Sequence, residues 1–128
     1  MSKEKVKTFR DLKVWQKAHT LTLDLYKITR DFPNDEKFGI VAQVRRSASS
    51  IATNIVEGHK RSSKKDFLHF LNLADSSLEE TKYHLLLASD LGYIEKAVYS
   101  QLNGQCEEVG RMLYGFQRGI ASNLTPTA

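Results

Sequence analysis

Apolar side chains recur along this chain at alternating steps of four and three, in four separate blocks. Val14, Ala18, Leu21, Leu25, Ile28 and Phe32 fall at spacings of 4, 3, 4, 3 and 4, which puts all six on one stripe of an α-helix. Trp15 and Tyr26 widen the stripe. Thr8 and Asp11 stand at capping-box spacing ahead of it and Pro33 follows it, so a first helix is predicted over 9–32. Asn34 or Asp35 is the expected cap of a second helix over 35–59, on which Val41, Val44, Ala48, Ile51, Ile55 and Gly58 repeat at 3, 4, 3, 4 and 3. Ser63 and Asp66 repeat the capping spacing before a third helix over 63–91, with Phe67, Leu71, Ala74, Leu78, Thr81, Leu85 and Ala88 as its stripe and Leu91-Gly92 as its end. The fourth stripe, Val98, Leu102, Gln105, Val109, Met112 and Phe116 over 95–120, is weaker. Gln105 interrupts it, and Gly104, Gly110 and Gly115 each cost about 0.8–1 kcal/mol relative to Ala. The fourth helix is therefore predicted to be the least stable.

No alternating strand pattern or low-complexity segment breaks this series. Connections of a few residues between long helices make consecutive helices antiparallel neighbours, so the fold class is all-α, an up-down antiparallel four-helix bundle. At 128 residues the chain is of the size of one domain, with flexible ends expected over 1–7 and 121–128. The uncharged run Ser47 to Val56 is far shorter than the ~18 residues of a spanning helix, so no membrane segment is expected. A single cysteine, Cys106, and a charged start, Met1-Ser2-Lys3-Glu4-Lys5, with no apolar signal core behind it, predict a cytoplasmic location.

Charge changes the picture more than composition does. Residues 1–65 hold 15 Lys/Arg against 7 Asp/Glu, a net of +8, whereas residues 66–128 hold 4 against 8, a net of −4. A basic surface on a compact domain raises the local concentration of polyanions, which makes nucleic acid a candidate partner; a charged surface that only confers solubility is the plainer alternative.

Catalytic chemistry finds little support. Ferritin-like bundles hold two metals with a Glu from each of two helices and Glu-x-x-His pairs from the others, and here the spacing occurs once, as Asp66-x-x-His69, where the acid already serves a helix start. His19, His59, His69 and His84 lie on different segments without zinc-ligand spacing, and Cys106 has no second thiol. Phosphate-cradling glycine loops and nucleophile elbows are missing. No enzyme, metal or cofactor is expected, and no stacked aromatic platform of a dedicated sequence reader is visible along the chain.

The second helix is the unusual one. Arg45 and Arg46 precede a run of small residues, Ser47, Ala48, Ser49, Ser50, Ala52 and Thr53, and small side chains let a neighbouring helix approach closely. Arg46, Ser50, Asn54 and Glu57 form a polar stripe beside the core stripe. The segment from Arg45-Arg46-Ser47-Ala48 through Asn54-Ile55-Val56-Glu57-Gly58 resembles the signature of the four-helix-bundle 23S rRNA intervening sequence proteins, and is similar to the accessory variability proteins of diversity-generating retroelements. Asn54, Glu57 and Gly58 carry its most specific part. The resemblance extends from Phe9-Arg10-Asp11-Leu12 through Phe32-Pro33, Phe67 to Ala74 and Leu91-Gly92-Tyr93 to about Leu113. The chain departs from the family pattern at Ala52, where Pro is frequent, and at Ala74-Asp75-Ser76-Ser77, where Ala-Arg-Gly-Ser is frequent.

The resemblance implies a bundle assembled as a homopentameric ring with a surface suited to RNA or DNA, and in the retroelement relatives it implies a reverse transcriptase as partner. The leading expectation is a non-enzymatic nucleic-acid-binding accessory protein, with Arg45, Arg46, Lys60, Arg61, Lys64 and Lys65 contacting phosphates. The competing one is an oligomeric protein-interaction scaffold with an incidental basic surface.

Overall fold

The burial pattern follows the stripes. In the computed structural model, which describes residues 6–122, the helices are α1 (Lys13–Thr29), α2 (Ile40–His59), α3 (Lys64–Asp90) and α4 (Lys96–Ser122), with short 3-10 turns at Phe9–Asp11 and Asn34–Glu36. α1 packs on α2 and α4, and α3 packs on the same two helices from the other side, so the four close into an up-down bundle in which the α2–α3 interface is the most extensive. Leu21, Leu25, Val44, Ile51, Ile55, Leu71, Leu78, Leu85 and Leu113 are fully buried at its centre. Each such aliphatic side chain contributes about 1.5–3 kcal/mol relative to an exposed position. Among the described residues no helix is long and apolar enough to cross a membrane.

The helix starts differ from those predicted, and local hydrogen bonding explains why. The Thr8–Asp11 capping box forms, with Asp11 Oδ2 accepting from the Thr8 amide at 3.1 Å and the Lys7 amide at 2.8 Å. It caps the 3-10 turn rather than α1, because Leu12 is extended and turns the chain before the helix begins. These amide donors hold the Asp11 carboxyl below its usual range. Asn34 and Asp35 do not cap α2 either. They lie in the second 3-10 turn, α2 starts five residues later than expected, and Glu36 Oε1 accepts the Ile40 amide at 3.3 Å in place of a cap. The other Glu36 oxygen accepts from the Tyr93 hydroxyl at 2.7 Å, which ties this loop to the α3–α4 turn. Ser63 caps α3 as predicted, accepting from the Asp66 amide at 3.1 Å.

At the end of α3, Gly92 adopts φ +80, the Tyr93 amide donates to the Ala88 carbonyl and the Gly92 amide to that of Ser89. That pair of bonds is a Schellman motif, and the left-handed position favours glycine. Of the ends expected to be flexible, 1–5 and 123–128 lie outside the described residues. Lys7 is tied to Asp11, and α4 continues through Ser122.

The fourth stripe is complete, because its register runs through Leu102, Cys106, Val109 and Leu113, all buried. Gln105 sits on the flank, where its amide donates to Asp24 Oδ2 of α1 at 3.0 Å. Cys106 therefore fills the core position that the sequence pattern had given to Gln105. What remains of the weakness of α4 is its glycines. A Cβ built at Gly104 or Gly115 meets nothing within 4 Å, so Gly104→Ala and Gly115→Ala should each stabilise the protein by about 0.5–1 kcal/mol, read as a rise in the midpoint of urea unfolding with unchanged slope.

Candidate nucleic-acid interface

The small residues of α2 set how near α3 can come. Thr81 Oγ1 lies 2.8 Å from Ser47 Oγ and 2.9 Å from the Ser77 carbonyl, both hydroxyls being fully buried. One turn along, Ser77 Oγ is 2.9 Å from Ser50 Oγ, which accepts from the Asn54 amide at 3.1 Å. A further turn along, Gly58 lies against α3, and a Cβ there would fall 2.8 Å from Phe67 Cδ1 and 2.9 Å from Phe70 Cβ. The polar groups of this α2–α3 contact are thus paired with one another, the condition under which burying them is tolerated.

This close approach brings the basic residues of the α2–α3 turn to one end of the bundle, although not all six predicted phosphate contacts stand there. Lys60, Arg61, Lys64 and Lys65 do. Lys60 and Lys65 have no side-chain hydrogen bond or ion pair among the described residues; Arg61 lies 4.5 Å over the Phe70 ring and 3.4 Å from Glu57 Oε1. Arg45 is near the other end and is committed to α1. Its Nε donates to Thr29 Oγ1 at 2.9 Å, another nitrogen donates to the Tyr26 carbonyl at 3.1 Å, and the guanidinium stacks 4.6 Å over the Tyr26 ring. Arg46 is ion-paired with Glu80 and bonded to Gln43. Burial works against the Glu80 charge, yet the His84 hydrogen bond and the Arg46 guanidinium hold its carboxyl below the usual range.

The turn is joined by basic residues that become neighbours only in the folded chain. In the antiparallel bundle, residues 6–17, 55–69 and 111–122 share one end, and they include ten Lys/Arg, among them Lys7, Arg10, Lys13 and Arg118, against three Asp/Glu. A cleft of about 780 Å³ opens there between the N-terminal turn and the end of α2, lined by Lys7, Phe9, Glu57, His59, Lys60 and Arg61. Phe9 and Val56 also line a second, mainly apolar groove of about 410 Å³ that continues between α1 and α2 past Trp15, His19 and Tyr26. Along this groove the fold gathers aromatic rings that lie apart in the sequence. Phe9 meets Trp15 edge to face at 4.9 Å, and Trp15 stacks on His19 at 4.8 Å with planes 10° apart. The i, i+4 spacing of Trp15 and His19 was the available signal; Phe9 joins them only because Leu12 is extended.

Burial pushes the Cys106 thiol up to about 12, which makes it a core residue and a poor nucleophile at neutral pH. Among the described residues no three His, Cys, Asp or Glu side chains cluster as a metal site would require, and His69 lies against Phe70.

The family model described as 23S rRNA-intervening sequence protein matches residues 10–115. The chain belongs to that family. A crystal structure from Bacteroides thetaiotaomicron, described as a protein of unknown function from the S23 ribosomal protein family, matches with a TM-score of 0.76 and 28% identity, over 82% of this chain and 95% of that one. No curated protein matches the chain.

Within this chain, the signature residues are architectural. Asn54 braces Ser50 in the α2–α3 contact, Glu57 pairs with Arg61, and Gly58 admits the start of α3. Ala52, where the family pattern often has Pro, continues the helix and lines the α1–α2 groove. Ser77 retains its bond to Ser50 despite the altered residues before it. Gly58→Ala should destabilise the fold by about 1–3 kcal/mol, because the new methyl meets backbone-anchored atoms of α3. Arg45→Ala should likewise cost about 1–2 kcal/mol, because its bonds to α1 are removed. Chemical denaturation of both variants checks these values, and a loss of nucleic-acid affinity without a loss of stability at Arg45 would reverse its assignment.

Proposed function

We propose that this chain is a non-enzymatic, oligomeric accessory protein that binds RNA or DNA through the basic end of the bundle. The observation that carries the reading is the collection of ten Lys/Arg from three separate stretches at one end, with Lys60 and Lys65 uncommitted. Such a cluster attracts the phosphate backbone of any sequence, and its affinity comes chiefly from the release of condensed counterions. The family description, which names 23S rRNA, supports a nucleic-acid context. The family resemblance read in the sequence implies a homopentameric ring and, through its retroelement relatives, a reverse transcriptase as protein partner, and both belong to this proposal. A ring would repeat the basic end in every subunit and convert weak single contacts into avidity.

The test is a salt titration of binding to a short RNA, together with the mass in solution. Scattering coupled to size exclusion should give five times the 14.6 kDa chain mass. Log affinity should fall linearly with log salt, and Lys60→Glu with Lys65→Glu should weaken binding and flatten the slope by roughly 0.7 for each phosphate of a single strand no longer neutralised, with helix content unchanged. If the parent binds no nucleic acid even at low salt, the reading fails and a protein-interaction scaffold replaces it.

A further inference from the structure

The α1–α2 groove and the basic cleft share Phe9 and Val56, so the two lie side by side, the cleft at the charged end of the bundle and the groove along its side. The floor is aromatic and the ends are cationic. Lys7, His59, Lys60 and Arg61 line the mouth, where the Glu57 carboxylate is paired with Arg61, and the Arg45 guanidinium lies against Tyr26 at the far end. Between them Trp15 and His19 present nearly parallel rings, with Phe9 against the Trp15 edge. Ser49, Ala52 and Thr53 are too short to fill the space from the α2 side, which is why the groove is open.

Duplex nucleic acid offers phosphates to a basic end but keeps its bases stacked inside. A single strand offers both phosphates and bare bases, and cationic grooves with aromatic faces are how single strands are held without sequence preference. We infer that the α1–α2 groove binds single-stranded nucleic acid, its phosphates at the Lys7–Arg61 mouth and its unpaired bases against the Trp15–His19 stack. The groove is open along its length and has a volume of about 410 Å³, so a base can enter it from solvent. The inference rests on the nucleic-acid reading above and adds to it a preference that phosphate contacts alone do not give. A purely apolar partner, such as a helix of a second copy, would leave the cationic mouth uncompensated.

Trp15 is the only tryptophan, so its emission reports on the groove directly. The full chain would be titrated at low salt with a mixed-sequence 12-nucleotide RNA, single-stranded or annealed to its complement. Saturable quenching of Trp15 by the single strand, absent with the duplex, is expected. His19→Ala removes an exposed stacking ring and should lower single-strand affinity roughly tenfold, reducing the ratio of single-strand to duplex affinity. Thr53→Glu, which places a carboxylate in the groove from an exposed position of α2, should lower the same ratio. Equal binding of both probes with Trp15 unchanged overturns the groove assignment and leaves the basic end standing. No binding of either probe overturns both. Emission that changes with protein concentration alone, and not with RNA, overturns the inference in favour of a second copy of the chain.

Discussion

The close approach of α2 to α3 is the constraint on which the rest of the molecule depends. It exists because one flank of α2 carries Ser47, Ser50, Asn54 and Gly58, whose short or paired side chains let Thr81, Ser77 and Phe67 come in against them. The opposite flank of the same helix carries Ser49, Ala52 and Thr53, which are equally short but have no third helix to receive. One belt of small residues thus seals the bundle on one side and leaves a groove on the other. It also fixes the turn between α2 and α3, and with it Lys60, Arg61, Lys64 and Lys65.

Electrostatics follow from topology more than from sequence order. The basic excess of residues 1–65 reads along the chain as a property of its first half. In an antiparallel bundle that half contributes to both ends, and the charges differ in what they touch. Near the start of α2, Arg45 and Arg46 are spent on Thr29, Tyr26 and Glu80. At the other end Lys60 and Lys65 project without partners among the described residues, beside Lys7, Arg10 and Lys13. The exposed pair of Lys17 with Glu108 joins α1 to α4 but contributes little stability, whereas the half-buried Lys82 joins α3 to Glu107 of α4. Charge in this protein bears on association far more than on folding.

The stripes of α1, α2 and α3 were legible because apolar burial at helical period is a local signal summed over many residues. Helix starts were less so. Thr8 and Asp11 have the right spacing, yet whether they open an α-helix or a 3-10 turn depends on Leu12, and the α2 start depends on Glu36 and Tyr93, which are far apart in sequence. In α4 the stripe Leu102, Cys106, Val109 and Leu113 also has spacings of 4, 3 and 4, so Cys106 was open to the same reading that chose Gln105; only the bond of Gln105 to Asp24 on α1 lay beyond the sequence. Of the candidate interface, the four basic residues of the α2–α3 turn were legible as a cluster. The contribution of Lys7 and Phe9, the aromatic floor and the commitment of Arg45 were not, because each is a relation between segments that only the bundle brings together.

A double-mutant cycle on Ser47→Ala and Thr81→Val tests the α2–α3 contact most directly, since both side chains are fully buried and each variant removes one hydroxyl of the pair without altering the apolar stripes. Equilibrium unfolding of the parent, the two single variants and the double variant gives the coupling between the hydroxyls. A buried hydroxyl pair that holds the two helices together predicts a coupling of about 1 kcal/mol, with each single variant destabilised because the hydroxyl left behind keeps only the carbonyl of its own helix, Val44 for Ser47 and Ser77 for Thr81, and the double variant less destabilised than their sum. Strictly additive losses would mean that the two hydroxyls do not hold α2 and α3 together.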